Sequence, residues 1–314
     1  MGIAFLFPGQ GAQSPGFLHR LVEAHAELAP HFAEASEALS QDVMALDSED
    51  ALASTVAVQL TTVIAATGMA RLLRARGLKP QAVAGLSVGA FAAAFSAGAL
   101  GFAPMLKAVR LRAHLMENAY PTGYGLAAVV GLPLRQLTAL VGRVHSAEQP
   151  VYIANLNAPT QFVLAGKTSA LNDVLELARV AGARKAELMA VAVPSHCPLL
   201  TAVGDELAKA LAEIDIVAPE TPYVSNRGGR LVSDPEAIRQ DLARNVMSPV
   251  LWSDAVTVLH EVGVRLFLEM PPGHTLTNLA AEAFEDARAL ALEDNRLDTI
   301  EVLAAREAAS DEAR

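Results

Sequence analysis

Three features of the sequence predict an α/β fold interrupted by a small inserted subdomain. Short apolar runs of strand length alternate with longer runs of helical period along most of the chain. Between Gly125 and Val193 that rhythm changes to the order β-α-β-β-α-β, the ferredoxin-like split pattern. A G-x-S-x-G pentapeptide, Gly85-Leu86-Ser87-Val88-Gly89, lies between an apolar strand and a helix of small residues.

The elements follow in order. Ile3–Phe7 reads as a strand ending in the turn Pro8-Gly9-Gln10-Gly11. Thr55–Arg76 carries a helical pattern closed by Gly77, and Gln81–Leu86 is the next strand. Val88–Leu100 and Phe102–Ala119 are expected as helices. In the insertion, 125–132 is a strand, 133–144 a helix, 151–157 and 161–166 two strands, 169–182 a helix and 184–193 a strand. A helix then follows Pro198, with a strand at Tyr223–Ser225, helices around Pro235–Asn245 and Pro249–Val262, and a strand at Val264–Met270. A last helix and strand precede a charged tail after Asp294. The expected division is residues 1–119 and 192–314 as the core and 120–191 as the ferredoxin-like subdomain, with the active site where they meet.

Composition removes several function classes. Over 314 residues, 24 Lys+Arg against 34 Asp+Glu leave a net charge of −10, which excludes a generic nucleic-acid binder. With 52% hydrophobic and 18% charged residues the chain is not intrinsically disordered. The single cysteine, Cys197, permits no intramolecular disulfide or Cys-based zinc cluster and fits a reducing cytosol. The start, MGIAFLFPGQGAQ, has neither the basic region nor the cleavage site of a secretory signal. The uncharged run Pro80–Leu106 has the length of a membrane span. Gly85, Gly89, Gly98, Gly101 and Pro104 interrupt it, so a buried strand and helix of a soluble, cytoplasmic protein are expected instead. His19, His25 and His31 recur every six residues, a spacing that scatters them around a helix, and they are expected at the surface rather than on a metal.

The chemistry starts at Ser87. A sharp strand-to-helix turn lifts its hydroxyl out of the chain, the flanking glycines admit close backbone approach, and the following helix offers its positive end. The bland alternative is a glycine-rich turn with an incidental serine. On Phe102–Ala119, Met105, Val109, Arg112 and Met116 form one stripe, which puts Arg112 in the middle of an apolar face. An unpaired guanidinium there is expensive, so Arg112 must meet either a structural carboxylate or a ligand's. Arg110 falls on the solvated side. His196, in the loop Val193-Pro194-Ser195-His196-Cys197-Pro198, is a candidate base, against the alternative of a capping or core histidine. Its neighbour Cys197 is a rival nucleophile only in an electropositive niche. The turn after the first strand fails the G-x-G-x-x-G spacing, since Ser14 holds the third position, but a backbone amide there suits an oxyanion hole.

Taken together, FPGQGAQ (7–13), GLSVG (85–89), LRAHLM (111–116), NLNAPTQFVLAG (155–166), VPSHCPLL (193–200) and SPVLW (248–252) resemble the malonyl-CoA:acyl carrier protein transacylase family over nearly the whole chain. The resemblance implies an α/β-hydrolase-like core with a ferredoxin-like subdomain. It also implies Ser87 as nucleophile, His196 as base, the amides of Gln10 and Val88 as oxyanion donors and Arg112 as the carboxylate-binding residue. Asn245 takes the position whose backbone carbonyl orients the histidine, where the family commonly has Gln. Leu86 stands where the family usually has His. Leu86 and the sequence around it look most like the transacylase (epsilon) subunit of malonate decarboxylase. No metal and no permanently bound cofactor are implied; malonyl-CoA is the substrate. The partners implied are an acyl carrier protein, the malonate decarboxylase carrier subunit among them, and neither nucleic acid nor membrane. Because CoA and carrier proteins are acidic, Lys and Arg are expected locally at the site mouth despite the net negative charge.

The alternatives are a malonyl transacylase of fatty-acid or polyketide synthesis, a serine esterase or thioesterase, and a carrier-docking subunit with a vestigial site. An esterase wants a late histidine, His260 or His274, with an acid such as Asp254.

Overall fold

A computed structural model describes residues 2–120 and 122–312; Met1, Pro121 and residues 313–314 lie outside them. Among the described residues there are ten strands: β1 (Gly2–Phe7), β2 (Ala82–Gly85), β3 (Tyr124–Val130), β4 (Val151–Ala158), β5 (Gln161–Lys167), β6 (Lys185–Leu188), β7 (Tyr223–Val224), β8 (Leu231–Val232), β9 (Val264–Glu269) and β10 (Arg288–Ala291). Six form a sheet in the order β10-β9-β1-β2-β7-β8, parallel except at the β7–β8 edge. The other four form an antiparallel sheet in the order β4-β5-β3-β6. That order puts the first and third strands of the insertion in the centre, as the ferredoxin-like pattern requires.

β1 lies at the heart of the larger sheet because Ala4-Phe5-Leu6-Phe7 is apolar on both faces, and all four residues are fully buried. Phe5 and Phe7 pack with the helix Thr55–Ala75, while Ala4 and Leu6 pack with Trp252 and Phe267 on the opposite side. The register Phe7↔Gly85 ends β1 and β2 at the same level. The Pro8–Gly11 turn and the serine turn therefore leave the carboxyl edge of the sheet side by side, where ligands bind in open α/β sheets. The small sheet is tied to the segment that leads into the helix Trp252–Glu261 by backbone bonds: Val250 N–H donates to Ala154 O at 2.9 Å, and Leu156 N–H donates to Val250 O at 2.9 Å.

Pro80–Leu106 becomes β2, the serine turn, the helix Gly89–Ser96 and the start of the helix Phe102–Ala119. Among the described residues only Thr55–Ala75 is long and apolar enough to cross a bilayer, and 83% of its apolar window is buried in the protein.

Several expectations need correction. The helix after Ser87 stops at Ser96, because Gly98 takes a left-handed φ of 82° and turns the chain. The last strand of the insertion ends at Leu188, and the chain leaves the sheet there on its way to His196. The charged tail is a helix, Leu297–Glu312, with Ile300 and Ala304 in the core. Residues 17–53 hold two α-helices and three short 3-10 segments that periodicity did not resolve.

His31 is buried, not at the surface. It sits on Ala29–Leu39, apart from His19 on Phe17–Ala24, and its Nε2 donates to Ile64 O at 2.9 Å. Gly68 makes room for it: a Cβ there would lie 2.9 Å from the imidazole. Among the described residues no three His, Cys, Asp or Glu side chains cluster as a metal site.

Candidate active site

The serine turn is a strained elbow whose two glycines are dictated by contact. A Cβ on Gly85 would lie 2.1 Å from Gly89 O, and one on Gly89 would lie 2.2 Å from Phe7 O. Ser87 itself has φ 56°, a left-handed conformation costly for a residue with a Cβ. Asn226, buried on the turn after β7, holds the elbow on both sides. Its Nδ2 donates to Gly85 O at 2.6 Å, and its Oδ1 accepts from Ser87 N–H at 2.9 Å. Asp241 fixes that turn in turn, accepting the amides of Asn226 and Arg227 and the Tyr223 hydroxyl.

His196 comes to Ser87 from the loop that follows the insertion. Its Nδ1 lies 2.6 Å from Asn245 O, which only accepts, so Nδ1 carries the proton and donates. Nε2 is then the acceptor for the Ser87 hydroxyl at 2.7 Å. The ring is 2% exposed; burial, reinforced by the Arg112 charge, lowers its pKa to about 4. A neutral imidazole acceptor at neutral pH is the form a general base needs. The Asn245 side chain adds a second link, its Nδ2 donating to Ser87 O at 3.3 Å.

Arg112 is fully buried, and both of its hydrogen-bond acceptors are neutral. Nη1 donates to Gln59 Oε1 at 2.6 Å and Nη2 to Ser87 Oγ at 3.2 Å, while Nε has no protein acceptor. Burial alone lowers its pKa to about 9, leaving it charged at neutral pH. Nε–H and Nη2 share one edge of the guanidinium, the edge that grips a carboxylate with two parallel bonds. Gln59 also donates through Nε2 to Gln10 Oε1 at 3.0 Å, tying Arg112 to the first turn.

A cavity of about 220 Å³ opens over Ser87 and His196. Gln10, Ser87, His196 and Thr275 wall it from the large sheet, and Leu126 and Asn157 from the small one. Val88 lies beneath, buried as the residue before the helix Gly89–Ser96. No Lys or Arg lines the cavity wall, so the basic residues expected at the mouth are not part of it.

The rival constellations do not assemble. His260 Nε2 is held by Asp286 at 2.8 Å, and His274 faces Asp294 at 3.7 Å. Cys197 is fully buried, its thiol donates to Pro194 O, and burial pushes its pKa up to about 12, so no thiolate forms. Gln59 and Asn226 escaped the sequence reading. The stripe logic that singles out Arg112 applies equally to Gln59, a polar residue between Ala57 and Leu60 on a buried helix. Asn226 had no such signal, because a polar residue after a short strand looks like any turn.

The acyl transferase domain family matches residues 4–302 of the chain. The malonyl CoA-acyl carrier protein transacylase of Salmonella typhimurium is 35% identical over 297 residues, covering 93% of this chain and 96% of that protein. The crystal structure of FabD from Acinetobacter baumannii superposes with a TM-score of 0.91 at 32% identity, over 98% of this chain and 99% of that one. A type II PKS acyl-carrier protein in complex with its malonyl-transacylase gives a TM-score of 0.89 at 34% identity, over 94% of this chain and 97% of that one.

Proposed function

The chain belongs to the acyl transferase family, among the malonyl-CoA:acyl carrier protein transacylases, and from that membership we propose how its residues carry a malonyl group from malonyl-CoA to a carrier-protein thiol. The activity is that of EC 2.3.1.39, with malonyl-CoA as substrate and no resident cofactor. The observation that carries the residue assignment is the single hydroxyl shared by Ser87, His196 Nε2 and Arg112 Nη2.

His196 Nε2 takes the Ser87 proton as Oγ attacks the thioester carbonyl. The amides of Gln10 and Val88 stabilise the tetrahedral oxyanion, where one donor is typically worth ~2.7–4 kcal/mol. The C–S bond breaks, His196 returns the proton to the CoA thiolate, and a malonyl-serine ester remains. Arg112 turns the Nε–Nη2 edge to the distal carboxylate. The carrier's pantetheine-type thiol then gives its proton to His196 and attacks the ester; the C–Oγ bond breaks, and His196 returns the proton to Ser87 Oγ, leaving the malonyl group as a thioester on the carrier. On this reading the division at 119/120 and 191/192 puts Gln10, Ser87 and His196 on the core wall of the cavity and Leu126 and Asn157 on the subdomain wall.

The malonyl transacylase of fatty-acid or polyketide synthesis is the better supported context, since the relatives named above are malonyl transacylases and one of them is in complex with a type II PKS acyl-carrier protein. Service to the malonate decarboxylase carrier rests on Leu86, which sits beside Ser87 in the cavity wall, and on the residues around it in the sequence. We place the reaction in the cytoplasm, where malonyl-CoA and carrier proteins meet.

Intact-protein mass spectrometry after incubation with malonyl-CoA tests the assignment: a malonyl adduct forms and is absent from Ser87→Ala. An adduct that persists in the variant overturns the nucleophile. Transfer to a fatty-acid carrier compared with a malonate decarboxylase carrier decides the context.

A further inference from the structure

The Gln59 side chain is wholly buried, and its orientation is forced by its neighbours. Arg112 only donates, so the atom 2.6 Å from its Nη1 must be Oε1. The amide nitrogen is thereby turned to Gln10 Oε1 at 3.0 Å and to Met116 Sδ at 3.4 Å. One amide group aligns the guanidinium and links it to the turn that carries the Gln10 amide.

The identity of the group matters as much as its position. A carboxylate of the same length would also accept from Arg112, but it would neutralise the guanidinium before any substrate arrived. An incoming anion would then have to compete with a buried ion pair, whose rupture is costly. A neutral acceptor fixes the geometry and leaves the charge unspent. Glu117, the carboxylate on the same helix, is kept away from this role by its bonds to Ser54 Oγ and Thr55 N–H.

We propose that Gln59 is the positioning residue that makes the site selective for acyl groups with a free carboxylate, by holding Arg112 through a neutral acceptor. The inference rests on the malonyl-serine reading above and adds the source of its acyl preference.

Two variants test it. Gln59→Glu keeps the shape and supplies a carboxylate; Gln59→Met keeps the length and removes both polar atoms. Acylation of Ser87 by malonyl-CoA and by acetyl-CoA is followed in parallel by mass spectrometry for the wild type and both variants. The malonyl-over-acetyl rate ratio falls roughly 10- to 150-fold in Gln59→Glu, the range of one charge-assisted hydrogen bond, and by less in Gln59→Met. The KM for malonyl-CoA rises in both. A ratio unchanged in both variants, or an equal loss for both acyl groups, overturns the role of Gln59. If Gln59→Glu does not fold, the ratio in Gln59→Met decides. A wild type that forms no malonyl adduct overturns the underlying function instead.

Discussion

Ser87 and His196 share two unusual properties: each has a left-handed backbone, at φ 56° and 64°, and their side chains meet at 2.7 Å. Among the described residues only Ser40 joins them as a non-glycine residue with positive φ. The nucleophile and base are thus both presented by backbone conformations that cost free energy, of order 1–3 kcal/mol each. Such strain persists only where surrounding bonds over-determine it, and here Asn226 and Asn245 supply those bonds.

The depressed pKa of His196 sets the pH dependence. With a pKa lowered to about 4 the imidazole stays neutral well below the ordinary histidine range. The rate of Ser87 acylation at subsaturating malonyl-CoA is therefore expected to be flat from about pH 8 to pH 5, with its acid limb near 4. An acid limb centred at 6.5 would contradict the buried-base assignment. Stability follows the same group: the unfolded histidine takes a proton below about 6.5 that the native site refuses, so this contribution is lost as pH falls from there toward 4.

Arg112→Ala removes the cation that donates to Ser87 Oγ. Malonyl transfer should fall by at least two orders of magnitude, the scale of about 3 kcal/mol for a bidentate charge-assisted contact, while acetyl transfer is spared or raised. Paired kcat/KM measurements check this. Equal losses for the two acyl groups would sink the assignment.

Asn226→Ala deletes both bonds that brace the elbow and leaves the buried Gly85 carbonyl and Ser87 amide without that partner. At ~1–3 kcal/mol for each unsatisfied group, the variant should unfold at a lower temperature and acylate about 10- to 100-fold more slowly. The loss falls on kcat, because Asn226 lies outside the cavity wall. Calorimetry and single-turnover acylation together separate the two effects, and a normal acylation rate would remove Asn226 from the mechanism.

Glu269 is fully buried at the end of β9, where it accepts the amides of Leu276 and Thr277 at 3.0 and 2.6 Å. Burial raises its pKa to about 7 despite those bonds. A raised carboxylate pKa means that its contribution to stability is complete below about 4.5 and is lost as pH rises through 7. Glu269→Gln loses one amide bond at every pH but escapes that penalty. The Tm of the variant relative to wild type should therefore be higher at pH 8 than at pH 5. A difference independent of pH would show that the carboxyl is ionised throughout.

Much of this site was legible because it obeys spacing rules. G-x-S-x-G located the elbow, helical periodicity put Arg112 on a buried face, and the β-α-β-β-α-β order marked the insertion. What escaped has a common cause: it depends on contacts between segments far apart in the chain. Asn226 acts across 139 residues on Ser87 with no local pattern to mark it, and Gln59, which a buried helix does mark, reveals its role only through Arg112, 53 residues away. His31 was misplaced for the same reason, since its burial is decided by the space above Gly68 on another helix. The tail after Asp294 is charged yet helical, because a narrow stripe through Ile300 and Ala304 suffices to dock it.

The backbone bonds between Val250 and the Ala154–Leu156 segment have a mechanical consequence. Because the same Val250 both accepts from Leu156 and donates to Ala154, the insertion cannot swing away from the helix Trp252–Glu261 without breaking a matched pair of bonds at once. The insertion is fastened to the core at a point remote in sequence from its two chain crossings, in the manner of a third hinge pin.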